Sequence, residues 1–289
     1  MSETVGFIGL GIMGSPMAQN MSKKFAVTGF DVQFSRMAAT TMITRAQSPA
    51  EVVKACPVVF LSLPSAVVVE QVALGDGGLA EVMPRGSLLV DLSTSLPSLS
   101  RRIAARLAEK GVEFADAPVS GGEKGAQDAS LAIMVGASEP VFQRCRPYLA
   151  AIGKTVVRVG EVGAGGIAKL VNNMIVAAEF AVIAEGFALA SQNGVDARLL
   201  YEAMREGWAG SKVLDVSAEA IAARQYVPGG TIDMLLKDLS YARTLASECQ
   251  SPIPMTATAH EIFIAGQAAG NGKRSQPAIF ELWNRSGGA

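Results

Sequence analysis

The hexapeptide Gly9-Leu10-Gly11-Ile12-Met13-Gly14 lies between a short apolar run, Thr4-Val5-Gly6-Phe7-Ile8, and the helix-compatible stretch Ser15 to Met21. A buried strand that turns tightly into a helix is a narrow architectural choice, and each glycine has a separate reason to be there. Gly9 permits the turn, Gly11 lets a pyrophosphate approach the backbone, and Gly14 lets helix and strand pack closely. A GxGxxG alone is a weak signal, so its surroundings matter. Here a second apolar run, Phe25 to Phe30, ends at Asp31, 22 residues after Gly9. A carboxylate at that point accepts hydrogen bonds from both ribose hydroxyls and repels a 2′-phosphate. The expectation is a dinucleotide site for NAD touching Gly9, Leu10, Gly11, Ile12, Met13, Gly14 and Asp31. Arg36, five residues further on, keeps NADP as the alternative.

The alternation of strand and helix continues. Val58 to Leu63 and Ser87 to Asp91 read as strands ending at Pro64-Ser65 and Leu92-Ser93-Thr94. In an open parallel sheet the ligand lies beyond the carboxyl ends of the strands, which brings Leu63, Pro64 and Thr94 to the cofactor. Pro64 and Ser93-Thr94 also suit turns or helix caps, and both readings can hold together. Pro97 to Lys110 is a helix and Val112 to Ala115 a strand, followed by Asp116-Ala-Pro-Val-Ser120-Gly121-Gly122. A serine hydroxyl beside two glycines is either a carboxylate cradle or a plain turn. Ser130 to Val135, Glu139 to Ala151 and Thr155 to Val159 complete a first domain over residues 1–161. Over 162–289 the alternation stops, and Ala197 to Glu206, Val213 to Arg224, Met234 to Cys249 and Pro254 to Gln267 read as helices separated by glycines. The fold class is α/β, with a Rossmann-type dinucleotide-binding domain, a long interdomain helix and an all-α C-terminal domain.

That interdomain helix opens at Gly163-Ala-Gly-Gly-Ile-Ala-Lys169-Leu-Val-Asn172-Asn173 and runs to Ser191. Its glycines imply a flexible entry. Its nearly continuous apolar character implies packing on several faces, while Lys169, Asn172, Asn173, Glu179 and Glu185 argue against a membrane span. Lys169 and Asn173 stand one turn apart, so an ammonium and an amide project side by side. A lysine near a helix start can equally snorkel to water.

Composition narrows the function further. With 289 residues, 49% of them hydrophobic, and a formal net charge of −1, the chain can bury a large core but has no basic face for nucleic acid. Cys56, Cys145 and Cys249 are scattered, with no CxxC spacing, and the single histidine, His260, cannot build a His-based metal cluster. No metal and no disulfide are expected. The first residues enter a strand at once without a basic segment leading into a signal core, so a cytoplasmic protein is expected. So apolar a helical half implies subunit packing, as a homodimer or homotetramer.

Taken together, the stretches 9–14, 116–122, 163–173 and Lys237-Asp238-Leu239 resemble the β-hydroxyacid dehydrogenase family, typified by 3-hydroxyisobutyrate dehydrogenase. The resemblance covers nearly the whole chain, and the second and third stretches are the specific ones. It implies that Lys169 is the acid/base, that Asn173 orients substrate, that Ser120, Gly121 and Gly122 hold the substrate carboxylate, and that Lys237 lines the site near substrate and cofactor. It further implies hydride transfer between NAD, or NADP, and a short 3-hydroxyacid. Burial and the positive end of its helix would bring Lys169 down from an aqueous pKa of about 10.4. Trp208, Ser211 and Met234 are candidates for the distal end of the substrate, with core packing the other reading for Trp208 and Met234. The 6-phosphogluconate dehydrogenases are similar but carry a histidine where this chain has Asn172, and imine reductases usually lack the lysine. Arg274-Ser275-Gln276-Pro277 departs from the family pattern and bears on substrate identity. Two alternatives accompany this reading: an NADPH-dependent reductase of tartronate semialdehyde, and a non-catalytic dinucleotide sensor.

Overall fold

In the computed structural model residues 4–33, 35–36, 42–227 and 229–283 are described. The opening residues 1–3 and the closing residues 284–289 lie outside them. The chain forms two compact units, Met1–Lys169 and Leu170–Ala289, each with its own core. Their division falls inside the helix Ala164–Gln192, which the sequence reading assigns wholly to the second domain.

Among the described residues the first unit has nine strands: β1 Thr4–Ile8, β2 Ala26–Phe30, β3 Thr44–Arg45, β4 Val58–Leu61, β5 Leu88–Asp91, β6 Glu113–Asp116, β7 Val119–Ser120, β8 Leu131–Gly136 and β9 Gly153–Gly160. Their order is β3-β2-β1-β4-β5-β6-β8-β7, with β9 also paired to β8. From β3 to β6 all pairings are parallel. Such a sheet is covered on both faces, which is why Val58 to Leu61 and Leu88 to Val90 are continuous apolar runs and no more than 1% exposed. The sequential order reverses at β1, between β2 and β4, so a ligand crevice is expected beyond the carboxyl ends of β1 and β4. The glycine hexapeptide leaves β1 at that place. Beyond β6 the sheet changes character, since β8 runs antiparallel to both β6 and β7.

In the second unit the remainder of Ala164–Gln192 packs with the helices Ala197–Met204, Lys212–Ala223, Ile232–Glu248 and Pro254–Gly266. Among its described residues the regular elements are helical apart from one antiparallel bridge between Thr231 and Ser275. Ala177, Phe180, Ala181, Ala184, Phe187 and Ala188 give the long helix its inner face. The expectation that several faces are packed needs correction, because Val171, Ile175, Val182 and Leu189 are 46–65% exposed. By length and composition this helix could cross a membrane, and its residues beyond 169 contribute one face to the core of the second unit.

Candidate active site

The three glycines of the hexapeptide separate cleanly by what a Cβ would meet. At Gly9 (φ +94°) it would lie 2.2 Å from the Ser62 carbonyl oxygen, and at Gly14 1.9 Å from that of Gly9, so both are required by the protein's own packing. At Gly11 the nearest atom is Arg36 Nη1 at 3.7 Å. Among the described residues nothing demands a glycine there, and space beside its backbone is open. The helix that follows, Gly14–Ser22, has no side-chain cap at its N-terminus. An unfilled helix start beside a bare backbone is the environment a pyrophosphate requires, so the residues present fit a dinucleotide.

Asp31 is 5% exposed and already engaged. Its Oδ2 accepts the Leu10 N–H at 2.8 Å, its Oδ1 accepts the Gln33 N–H at 2.8 Å, and Arg36 Nη1 stands 3.6 Å from Oδ2. The carboxylate thus tethers the glycine turn to the end of β2, a task that spacing alone did not reveal.

The ends of β4 and β5 are cross-linked: the Leu63 N–H donates to Ser93 Oγ at 2.9 Å, and the Ser93 N–H to Asp91 Oδ1 at 2.9 Å. Ser65 caps the helix Ala66–Leu74, which leaves Leu63 and Thr94 partly exposed and Pro64 exposed at the carboxyl edge of the sheet. Asp91 also accepts from Ser95 Oγ at 3.2 Å. Burial pushes its carboxyl up to about 6, with the Ser93 and Ser95 hydrogen bonds opposing and the Asp116 charge adding to the rise.

Ser120 ends β7, and the chain then turns through two left-handed glycines, Gly121 at φ +135° and Gly122 at φ +63°. A side chain would be strained at both, and a Cβ on Gly122 would meet only open space. Asp116, at the head of the same motif, is 2% exposed and takes no part in that turn. Its Oδ1 accepts the Gly163 N–H and its Oδ2 the Gly166 N–H, each at 2.7 Å. The entry to the long helix is therefore clamped, not flexible, and the positive helix end expected to act on Lys169 is met by a carboxylate. Burial raises the Asp116 carboxyl, and the two glycine N–H groups oppose that rise.

In the second unit Asn173 is 7% exposed; its Nδ2 donates to Asp238 Oδ2 at 2.7 Å and its Oδ1 accepts from Asn172 Nδ2 at 3.0 Å. Lys237 Nζ lies 3.1 Å from Asp238 Oδ1 and 5.4 Å from the centre of the Tyr241 ring. Asp238, quoted from the sequence as part of the Lys237-Asp238-Leu239 stretch but given no role there, links Asn173 to Lys237. Ser211 caps the helix Lys212–Ala223 through the Leu214 N–H, and Trp208 is fully exposed, which removes core packing as its explanation.

Residues 4–160 match the family described as the NAD binding domain of 6-phosphogluconate dehydrogenase, and residues 163–283 that described as NAD-binding of NADP-dependent 3-hydroxyisobutyrate dehydrogenase. The chain is 37% identical to 2-(hydroxymethyl)glutarate dehydrogenase of Eubacterium barkeri, over 99% of this chain and 97% of the relative. It belongs to the 3-hydroxyisobutyrate dehydrogenase family of NAD(P)-dependent hydroxyacid dehydrogenases. Within that family it is also 34% identical to 2-hydroxy-3-oxopropionate reductase of Escherichia coli strain K12, covering 96% of each chain. The solved structure of Mycobacterium tuberculosis 3-hydroxyisobutyrate dehydrogenase with L-serine is similar at a TM-score of 0.89 and 30% identity, covering 99% of this chain and 100% of that one. Membership makes this protein an oxidoreductase that binds NAD(P) and acts on a CH–OH group.

Proposed function

We propose that this enzyme transfers a hydride between NAD and the hydroxyl-bearing carbon of a short 3-hydroxyacid, with Lys169 as general acid/base. Asn173 orients the substrate, Ser120, Gly121 and Gly122 hold its carboxylate, and Lys237 lines the site near the coenzyme. The observation that carries this reading is the placement of Lys169 and Asn173 one turn apart in a regular helix that continues from the Gly163–Gly166 entry. Bound NAD supplies the hydride acceptor or donor. In oxidation the neutral Lys169 Nζ accepts the hydroxyl proton; in reduction its ammonium donates that proton to the developing alkoxide.

Most of the substrates named by the relatives share an outline, with L-threonate an exception because its carboxylate-bearing carbon carries a hydroxyl and no CH2OH. 2-(Hydroxymethyl)glutarate, 3-hydroxyisobutyrate and L-serine each carry CH2OH on the carbon that bears a carboxylate, and 2-hydroxy-3-oxopropionate, which is tartronate semialdehyde, carries the corresponding aldehyde. We infer HOCH2–CHX–COO⁻ as the substrate class, with X as the variable group. Assembly as a homodimer or homotetramer is supported by the exposed Val182, Leu189, Leu199 and Trp208, and light scattering tests it.

The deciding experiment is initial rates with NAD and NADP over 3-hydroxyisobutyrate, L-serine, 2-(hydroxymethyl)glutarate and glycerate, with tartronate semialdehyde in reverse. Turnover of none would overturn the outline. Lys169→Ala should lower kcat by ~10²–10⁴-fold while coenzyme affinity is kept, and near-normal kcat in that variant would remove Lys169 from the chemistry.

A further inference from the structure

Asp116 is almost inaccessible to solvent, so it cannot exchange protons with a substrate, yet it occupies a crowded point of the first unit. A Cβ on Gly136, its partner on β8, would fall 2.4 Å from Asp116 Oδ1. A Cβ on Gly165 would fall 2.4 Å from the Met134 carbonyl oxygen, 2.6 Å from that of Asp116 and 2.9 Å from Asp116 Oδ2. The helix start is seated on the backbone of the sheet and on the Asp116 carboxylate. The two hydrogen bonds to Gly163 and Gly166 then fix both its rotation and its height. Each N–H here has its own carboxylate oxygen, and an asparagine in the same orientation would turn a donor toward one of them. Elsewhere in this unit Ser48 and Ser65 cap helices with a single hydroxyl. The neighbouring charged groups are Asp91, in register on β5, and Arg101, whose guanidinium lies beside Gly163.

Lys169 follows Gly166 by three residues, about 4.5 Å along the axis at 1.5 Å per residue. We propose that Asp116 is a positioning residue for the chemical step, holding the first turn of the helix so that Lys169 is presented to the substrate in one place. This rests on the assignment of Lys169 as acid/base, and the test separates the two.

The experiment compares Asp116→Asn with Lys169→Ala, using the acid from the panel above that the wild type oxidises fastest. A displacement on the order of 1 Å can lower a rate about a hundred-fold, so Asp116→Asn should lose ten- to a hundred-fold in kcat. Coenzyme affinity should stay within about three-fold and KM should change less than kcat, since the glycine hexapeptide and the Ser120 turn are untouched. A deuterium label on the carbinol carbon should slow the variant more than it slows the wild type, as hydride transfer becomes limiting. Near-normal kcat in Asp116→Asn alongside an inactive Lys169→Ala overturns the proposal, as does a parallel loss of coenzyme affinity. An active Lys169→Ala overturns the underlying assignment instead. Should Asp116→Asn not fold, amide exchange in the wild type decides: strong protection at Gly163 and Gly166 supports the clamp, and exchange at open-chain rates overturns it.

Discussion

The first unit contains two glycine-rich entrances to helices, each served by an aspartate at the end of a strand, and they are filled in opposite ways. At Gly9–Gly14 the carboxylate of Asp31 binds the turn at Leu10, ahead of the helix, and the helix start itself carries no cap. At Gly160–Gly166 the carboxylate of Asp116 takes the helix's own leading N–H groups. Among the described residues no side chain caps the first entrance, which we propose an anion from outside completes; the other already holds a carboxylate. Two similar glycine patterns can therefore serve a ligand in one place and a side chain's position in the other. What separates them is whether the nearby carboxylate reaches the turn or the helix.

The open entrance is most vulnerable at Gly14. Gly14→Val would force a branched side chain against the Gly9 carbonyl, where even a Cβ would stand at 1.9 Å. Overpacking of this kind costs ~1–3 kcal/mol or more, and titration of protein fluorescence with NAD should show no saturable binding. Retained binding would mean that the open entrance is not where the coenzyme sits.

A smaller effect is expected at Asp31. Asp31→Ala removes a charged acceptor from the Leu10 N–H, an interaction contributing ~1.5–3 kcal/mol, and should weaken both coenzymes, NAD more than NADP. Equal losses measured by calorimetry would assign Asp31 to tethering the turn alone. A wild type that already prefers NADP would shift attention to Arg36.

A change at Asp91, which neighbours Asp116 in register and holds the Ser93 N–H, should appear in stability. The Asp91 carboxyl, raised by burial to about 6 from 3.8, binds a proton more tightly in the folded protein than in the unfolded chain. Its stabilising protonation is complete below about pH 4 and is lost as pH rises through about 6, by on the order of 3 kcal/mol at most. Asp91→Asn, neutral throughout, should flatten that slope and melt above the wild type at pH 7. Melting curves between pH 4 and 7 that run parallel for the two proteins would show that Asp91 does not titrate there.

The parallel strands were legible because burial on both faces leaves no alternation to misread, as in Val58-Val59-Phe60-Leu61. The helix Ala66–Leu74 was not, since its Val67-Val68-Val69 run favours a strand and only the Ser65 cap decides otherwise. Short elements such as Pro49–Ala55 and Gly122–Gln127 carry too few turns for a periodic signal. Of the site, Lys169, Asn173 and the glycines could be named from local spacing. Asp116 and Asp238 could not be assigned partners, because those partners lie 47 and 65 residues away. An acid closing an apolar strand, as in Phe114-Ala115-Asp116, is the one local trace of such a buried contact.

The chain has two tryptophans, and their surroundings differ: Trp283 is partly packed on the core of the second unit, whereas the indole of Trp208 is bathed in water. That makes Trp208 an optical reporter already in place. Replacing Trp283 with phenylalanine would leave a single tryptophan, and a blue shift of its emission, excited at the red edge where tyrosine does not absorb, with rising protein concentration or on adding substrate would reveal which event covers that surface without any label being attached.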